Sequence, residues 1–342
     1  MAKKRSGNTW GDGLAGQRRP PRRCHGNGRL AIKLGPEGWI FRRNTFTLLT
    51  LLARSAGEES TNSHSRLPLS LPKGEIAPVN RLDSTFEKLQ AEGKKAFVAY
   101  VAAGDPDFDR SLAIMCGLAE AGVDVIEMGL PFSDPLADGI VNQMAAGRAL
   151  AAGASTAGCL ELIREFRQRH ETPLVLFTYL NPVFTYGYEK FHQDAAAAGA
   201  DGILLLDLPP DEAARNADLA QGAGLHHIQL IAPTTPEERV KLLAENSQGF
   251  LYALSRTGVT GAHGAPSEGI GQVVDRIKKY TDTPVCVGFG INTPEQAAMV
   301  AKVSDGIIVG SAIVKIVENN ADDPAVAEKV QSFVSELVAA IR

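Results

Sequence analysis

The feature that most constrains the fold is a regular alternation, from residue 79 onward, of short apolar runs with alanine-rich helical stretches. Eight runs of five to eight residues are almost continuously apolar, as expected of parallel strands that are buried on both faces. These runs cover residues 96–103, 123–130, 174–180, 202–208, 227–232, 250–255, 285–289 and 306–310.

Helical stretches separate the runs and predict the connectivity of the sheet. They cover residues 108–121, 156–170, 188–198, 211–223, 236–245, 269–280 and 294–301, with an opening helix at 82–91 and a closing one at 323–341. Eight such units over residues 79–342 match the α/β class and the (β/α)₈ TIM barrel, which usually has about 250 residues. An open doubly wound sheet would usually have fewer strands and a glycine-rich loop after the first, where this chain reads AAGDPDFD. We therefore predict a (β/α)₈ barrel with an extra N-terminal helix.

The charge distribution separates residues 1–78 from this catalytic domain. The first 78 residues hold 14 Lys+Arg against 5 Asp+Glu, a balance of +9, whereas the remainder holds 21 against 34, or −13. Their Gly, Pro and Ser content and lack of periodicity predict a disordered basic extension. Three explanations stay open: a transit-like peptide, a nucleic-acid-binding tail, or a start assigned too early, with translation beginning near Val79. The expected location is cytoplasmic, or the plastid if the extension is a transit peptide.

Composition excludes several other classes of protein. The four cysteines, at 24, 116, 159 and 286, form no CxxC pair, which argues against a structural zinc site or a disulfide framework. The longest compact apolar stretch, residues 46–53, is far shorter than the roughly 20 residues of a transmembrane helix. The net charge of −4 gives no chain-wide affinity for nucleic acid. The sequence thus predicts a soluble globular protein.

A barrel predicts that the chemistry lies at the C-terminal ends of its strands. The second run continues as VDVIEMGLPFSDPLADG, which places Glu127 inside an apolar strand and Asp134 and Asp138 in the loop after it. A buried carboxylate either finds a partner or shifts its pKa upward. Glu127 could instead be a hydrogen-bonded residue that orders the loop, and either aspartate could be a turn residue. Three carboxylates that converge on one mouth favour acid/base chemistry.

The last three loops carry a second signal. Gly288-Phe289-Gly290 follows the seventh run, and Gly310-Ser311-Ala312 precedes a helix after the eighth. Backbone N–H groups and a helix N-terminus in these loops favour a phosphate, although the glycines could merely relieve crowding. The glycine-rich segment 255–264 suits a lid that closes over substrate, or is simply a mobile loop.

Residues that are absent narrow the reaction class. No predicted strand contains a lysine, which disfavours a Schiff-base aldolase. His226 and His227 fall at the start of the fifth strand, away from the mouth, so we expect neither to bind a metal. What remains is a metal-free lyase or isomerase that acts on a phosphorylated substrate.

Five segments resemble one enzyme family at its own order and spacing, from about residue 80 to the C-terminus. They are FVAYVAAGDP (97–106), GLPFSDPLADG (129–139), LSRTGVTG (254–261), VGFGI (287–291) and VGSAIVK (309–315). Together they resemble the tryptophan synthase alpha chain. The resemblance implies a retro-aldol cleavage of indole-3-glycerol phosphate to indole and D-glyceraldehyde 3-phosphate in tryptophan biosynthesis.

The resemblance also implies roles for individual residues. Glu127 would protonate the indole ring carbon that bears the side chain, and Asp138 would accept a hydrogen bond from the indole N–H. The lid residue Thr260 would reach Asp138. Further positions match the substrate pocket: the indole-lining Tyr100, Tyr179, Leu204 and Phe289, the glycerol-phosphate neighbour Tyr252, and Gly261, Gly288, Gly290, Gly310 and Ser311 around the phosphate.

A partner and a cofactor follow from the resemblance as well. Pro131 and Asp134 would face a tryptophan synthase beta chain in an alpha2beta2 heterotetramer, and pyridoxal phosphate would belong to that partner, with no cofactor in this chain. Two positions depart from the family: Ile140-Val141-Asn142 replaces the usual Pro and Thr, and Tyr100 replaces a frequent Phe. A stand-alone indole-releasing lyase and a phosphate-binding regulatory subunit are the alternatives.

Overall fold

The computed structural model describes residues 79–255, 266–288 and 290–342, without the side chains of residues 210–211 and 266–268. Its strands form a single parallel sheet in the order β5-β4-β3-β2-β1-β9-β8-β7-β6. They are β1 (Ala96–Ala102), β2 (Val125–Gly129), β3 (Leu174–Thr178), β4 (Gly202–Leu205), β5 (His226–His227), β6 (Gln229–Ile231), β7 (Leu251–Leu254), β8 (Val285–Gly288) and β9 (Gly306–Val309).

The predicted fifth strand, residues 227–232, is two pieces rather than one. β5 pairs only with β4 and β6 only with β7, and Ile228 lies between the two pieces. The backbone N–H of Ile228 still donates to the carbonyl of Ile203 at 2.9 Å, so pairing passes from one neighbour to the other at this residue. Since the two edges of the sheet are successive pieces of the same stretch, the sheet is a nearly closed barrel, as predicted.

Helices cover the outside of the barrel and close its N-terminal end. They are α1 (Arg81–Ala91), α2 (Phe108–Glu120), α3 (Ile140–Ala151), α4 (Thr156–Arg167), α5 (Leu180–Tyr186), α6 (Tyr188–Ala198), α7 (Pro210–Ala223), α8 (Glu237–Glu245), α9 (Pro266–Lys278), α10 (Pro294–Ala301), α11 (Ser311–Asn319) and α12 (Val326–Ala339). The predicted helices exist, with ends that differ by up to three residues. α3 and α5 lie where none was predicted. α3 follows the loop after β2, and its N-cap residue, Gly139, makes no side-chain hydrogen bond, so no side-chain cap marks its start.

Alternate residues of each strand enter two different cores. Val125 packs in the barrel interior with Val98 and Val175, whereas Ile126 and Met128 pack outward against the helices. Because side chains alternate along a strand, Glu127, which follows Ile126, is directed into the barrel.

Helix α1 plugs the N-terminal end of the barrel. Leu82, Phe86 and Leu89 are buried in the interior core, and the ring of Phe86 lies 5.6 Å from that of Phe250. Each such side chain contributes about 2 kcal/mol through burial. This face therefore serves stability, and the opposite face, where the strands end, is left for chemistry.

A buried ion network ties the plug to the strands. The Asp201 carboxylate, 3% exposed, accepts from Arg81 at 2.8 Å, from Arg167 at 2.7 Å and from the backbone N–H of Leu174 at 2.8 Å. Such a carboxylate is stable in the interior because every charge has a partner. Among the helices that the structure describes, none is both long and apolar enough to cross a membrane.

Candidate active site

Glu127 is a fully buried carboxyl group in the third position of β2. Its neighbours in register are Tyr100 on β1 and Val175 on β3. Neither of its carboxylate oxygens has a hydrogen-bond partner within the described part of the chain. Burial therefore raises the pKa of Glu127 from its ordinary value of 4.5 to about 8. At neutral pH this group is a carboxylic acid that holds a transferable proton.

Asp138 lies in the loop between β2 and α3, and a tyrosine on the neighbouring strand end orients it. The Tyr179 hydroxyl donates to Asp138 Oδ2 at 2.8 Å and accepts from the backbone N–H of Ala137 at 3.0 Å. Partial burial raises the pKa of Asp138, while hydrogen bonds from Tyr179 and Asn142 oppose that change. The carboxylate is thus hydrogen-bonded on one side and half-buried.

The charges of both carboxyl groups act on two tyrosines, the buried Tyr100 and the partly buried Tyr252. Burial, and after it the charges of Asp138 and Glu127, raises the pKa of Tyr100 and of Tyr252 well above 10. Both tyrosines therefore lie within electrostatic reach of the two carboxyl groups that the sequence proposes as catalytic.

Tyr100 occupies space that a glycine leaves free. Its ring meets Phe177 edge-on, with centroids 5.1 Å apart. A Cβ on Gly129 would lie 2.3 Å from the Tyr100 hydroxyl oxygen, so only glycine permits this ring position. Phe177, which sequence reasoning missed, joins the apolar wall; its place near the end of the third predicted strand was the available signal.

The remaining indole-pocket candidates lie at different depths. Leu204 is 1% exposed and packs inside the interior core, below the mouth. Tyr252, partly buried on β7, faces Gly288 at the end of β8, where a Cβ would come within 2.8 Å of its hydroxyl oxygen. Tyr252 thus packs against the same interior core as Leu204, with its hydroxyl beside the strand end that leads into a predicted phosphate loop.

The candidate phosphate loops converge on the start of α11. Gly310 is its N-cap residue and Ser311 its first residue, so the free N–H groups of the helix end point out at this position. Gly290 has a φ of +72°, a conformation that favours glycine. Gly290 and Ser311 line one cavity of about 480 Å³.

The candidate partner residues lie on an exposed and apolar side of the mouth. Asp134 is exposed and accepts a hydrogen bond from Ser133 at 2.6 Å, and Pro131 is partly buried. Four large apolar side chains nearby in the sequence or on α3 and α5 are exposed: Leu136 by 90%, Phe184 by 73%, Ile140 by 69% and Met144 by 51%.

Three candidate residues lie outside the described residues: Thr260, Gly261 and Phe289. The predicted lid, 255–264, is described only at Ser255. Sequence reasoning missed a role for Asn142 and Gln143, although it noted the unusual residues there. The Gln143 side chain donates to the Asp138 carbonyl at 2.8 Å, so both residues contact the candidate aspartate.

The histidines at the start of the fifth strand have other partners. His226 is hydrogen-bonded to Asp83 of α1 at 2.8 Å, and burial lowers the pKa of His227 to about 4. Among the described residues, no group of three or more His, Cys, Asp or Glu side chains could hold a metal ion.

Comparison with known proteins gives one consistent result. The family described as tryptophan synthase alpha chain matches residues 86–342. A tryptophan synthase alpha chain from Desulfatibacillum aliphaticivorans is 46% identical over 261 residues, which cover 76% of this chain and 98% of the relative. Another from Phenylobacterium zucineum (strain HLK1) is 47% identical over 264 residues, covering 77% and 95%.

Solved structures agree with the sequence relatives. The crystal structure of tryptophan synthase subunit alpha from Legionella pneumophila superposes with a TM-score of 0.71 at 40% identity, and covers 77% of this chain and 98% of that one. The aminoacrylate-bound tryptophan synthase from M. tuberculosis gives 0.69 at 34% identity, covering 77% and 100%.

Proposed function

This chain belongs to the tryptophan synthase alpha chain family, a family of lyases that cleave indole-3-glycerol phosphate, and we propose that Glu127 and Asp138 carry out that cleavage here. One observation carries the proposal: a fully buried carboxyl group, Glu127, has no hydrogen-bond partner within the described chain, and the loop after its strand carries the hydrogen-bonded carboxylate of Asp138.

Glu127 is the general acid and then the general base. With a pKa of about 8 it is protonated at neutral pH and gives its proton to the indole ring carbon that bears the glycerol phosphate chain. The ring becomes a cationic electron sink. The resulting carboxylate then takes the proton of the adjacent hydroxyl as the carbon–carbon bond breaks, the ring regains its electrons and an aldehyde forms. Glu127 ends the cycle protonated, as it began.

Asp138 stabilises the cationic ring. Its carboxylate accepts a hydrogen bond from the indole N–H. The N–H becomes more acidic as positive charge develops on the ring, so this hydrogen bond is stronger in the transition state. The hydrogen bond from Tyr179 fixes the orientation of the carboxylate before substrate arrives. Tyr100 and Phe177 supply an apolar wall for a flat ring.

The phosphate of the substrate binds between the loops after β8 and β9. The backbone N–H groups at Gly290, Gly310 and Ser311 suit an anion, and the N-terminus of α11 adds a favourable dipole. Gly288, Tyr252 and Leu204 complete the described part of the pocket, and Thr260, Gly261 and Phe289 remain predictions.

The partner is a tryptophan synthase beta chain, in an alpha2beta2 tetramer. The exposed apolar side chains Leu136, Ile140, Met144 and Phe184, with Pro131 and Asp134, support an interaction surface at the mouth, because isolated soluble chains rarely expose so many large apolar groups together. In this proposal the beta chain holds pyridoxal phosphate and this chain needs no cofactor. The bacterial relatives support a cytoplasmic location over a plastid.

Indole production from indole-3-glycerol phosphate tests the proposal. Glu127→Gln should reduce the rate by several orders of magnitude while substrate still binds, and Asp138→Asn should be severely impaired. Glu87→Gln, on the exposed side of α1, is the matched control and should keep the wild-type rate. Normal indole formation by Glu127→Gln would contradict the mechanism.

The same assay separates the alternatives when a beta chain is added. Weak activity that rises sharply with the beta chain supports the tetramer, whereas strong activity that does not respond supports a stand-alone lyase. No activity under either condition would favour the regulatory subunit.

A further inference from the structure

Helix α3 follows the catalytic loop but has few apolar contacts to hold it. Of its twelve residues, all described, the buried ones are three alanines, Ala145, Ala146 and Ala149. Its N-cap residue, Gly139, provides no side-chain hydrogen bond. Val141 is only partly buried against the cluster of Tyr100, Ala102 and Ala145, and alanine buries little surface, so a contact besides this weak apolar packing must help to fix the position of the helix.

Arg148, the single charged residue of α3, makes that contact. Its Nε donates to Asp105 Oδ1 at 2.9 Å and its Nη2 to Asp105 Oδ2 at 2.9 Å. The Asp105 side chain is 3% exposed and that of Arg148 23%. A bidentate pair of this kind fixes orientation as well as distance. A third nitrogen, Nη1, lies 3.5 Å from Glu318 of α11, a longer contact.

Asp105 is itself held firmly at the end of β1. Its backbone N–H donates to the Ala102 carbonyl at 3.2 Å, and the preceding Gly104 donates to Ser111 Oγ at 3.0 Å. Ala103 donates to the carbonyl of Gly129, the last residue of β2, at 2.9 Å. The bidentate Arg148–Asp105 pair therefore fixes the position of α3 relative to the ends of β1 and β2, the strands that carry Tyr100 and Glu127.

The other end of α3 contacts Asp138. The helix begins two residues after Asp138, and Gln143 in its first turn donates to the Asp138 carbonyl at 2.8 Å. A helix moves as a rigid rod, so a shift at Arg148 is transmitted to this turn. We propose that Arg148 is a positioning residue for the cleavage: through Asp105 it sets the placement of α3 and so holds Asp138 where the indole N–H arrives. This inference rests on the proposed role of Asp138.

Kinetics of four variants test the proposal, measured with the beta chain present and at a temperature where circular dichroism shows each variant folded. Arg148→Gln should lower kcat at least tenfold and change KM less than threefold, because the phosphate loops lie on β8 and β9. Arg148→Lys should recover only part of kcat. Lysine restores the positive charge, but its ammonium group cannot make the two parallel hydrogen bonds to Asp105. Glu318→Gln, which leaves the Arg148–Asp105 pair intact but weakens the longer contact and an exposed pair with Lys315, is the matched control and should stay within twofold.

The double variant Asp105→Asn/Arg148→Gln separates positioning from stability. It leaves no unpaired carboxylate at residue 105, so its melting temperature should recover relative to Arg148→Gln, while kcat stays at least tenfold low. If kcat recovers together with the melting temperature, or if Arg148→Gln keeps kcat within twofold, the inference is wrong. Asp138→Asn is run beside them: a normal rate in that variant would refute the proposed function itself, whatever Arg148 does.

Discussion

At the scale of single residues, the unpaired carboxyl group of Glu127 determines how the rate depends on pH. The acid form is the reactive one, and burial places its pKa at about 8. We expect kcat/KM to be constant near neutrality and to fall about tenfold per pH unit above 8, as the free enzyme loses this proton. A pH profile of indole formation at substrate concentrations well below KM measures this. A profile that stays flat to pH 9.5 would exclude Glu127 as the acid.

The same burial lowers the free energy of unfolding at pH values where Glu127 would ionise in the unfolded chain. In the unfolded chain Glu127 loses its proton near pH 4.5, but in the folded chain only near 8, so between these values rising pH favours unfolding. The penalty grows by about 1.4 kcal/mol per pH unit. Glu127→Gln cannot ionise and escapes it.

We therefore expect the unfolding free energy of Glu127→Gln, relative to the wild type, to increase by about 3 kcal/mol between pH 5 and pH 8. Urea unfolding at the two pH values measures the change. The constant cost of a buried amide cancels in the comparison. Glu87→Gln, on the exposed side of α1, should show no such trend, and an equal trend in both variants would refute the explanation.

At the scale of elements, α1 should contribute stability without affecting chemistry. Phe86 is 6% exposed and packs against Phe250 at the N-terminal end of the barrel, opposite the mouth. Phe86→Ala should lower the unfolding free energy by about 3 kcal/mol and leave kcat unchanged, because it removes a buried ring and creates a cavity. Denaturant unfolding and the indole assay together check this. Glu87→Ala on the same helix should change stability by less than about 0.5 kcal/mol.

The elements differ in how far sequence could predict them. The strands were found because apolar runs report burial on both faces, and the barrel followed from their number. α3 was missed because IVNQMAAGRALA lacks a cap and a strong apolar stripe, and because it starts directly after Gly139. The split at Ile228 depends on which neighbour each half pairs with, and that information is not local in the sequence.

At the scale of the whole molecule, the candidate site illustrates the same limit. Glu127 could be chosen from one strand, because a carboxylate among apolar residues is visible locally. The hydrogen bond between Tyr179 and Asp138 joins residues that are 41 positions apart in the sequence, and the hydrogen bond between Arg148 and Asp105 joins residues that are 43 positions apart. Only the closed barrel brings such pairs together. Their residue types were visible in the sequence, but their pairing was not.

Residues 79–342 should form a complete catalytic domain without the basic extension. The matches to the two bacterial relatives span 95–98% of the relatives' length but only 76–77% of this chain, and the family match begins at residue 86. A chain that starts at Val79 keeps Asn80 and Arg81, whose hydrogen bonds to Asp201 tie α1 to the barrel.

This truncated chain lacks tryptophan altogether, since Trp10 and Trp39 both lie upstream, so circular dichroism should follow its unfolding. We expect one cooperative transition and a kcat within twofold of the full chain, with and without the beta chain. A truncated chain that fails to fold, or folds but makes no indole, would show that residues 1–78 belong to the working enzyme.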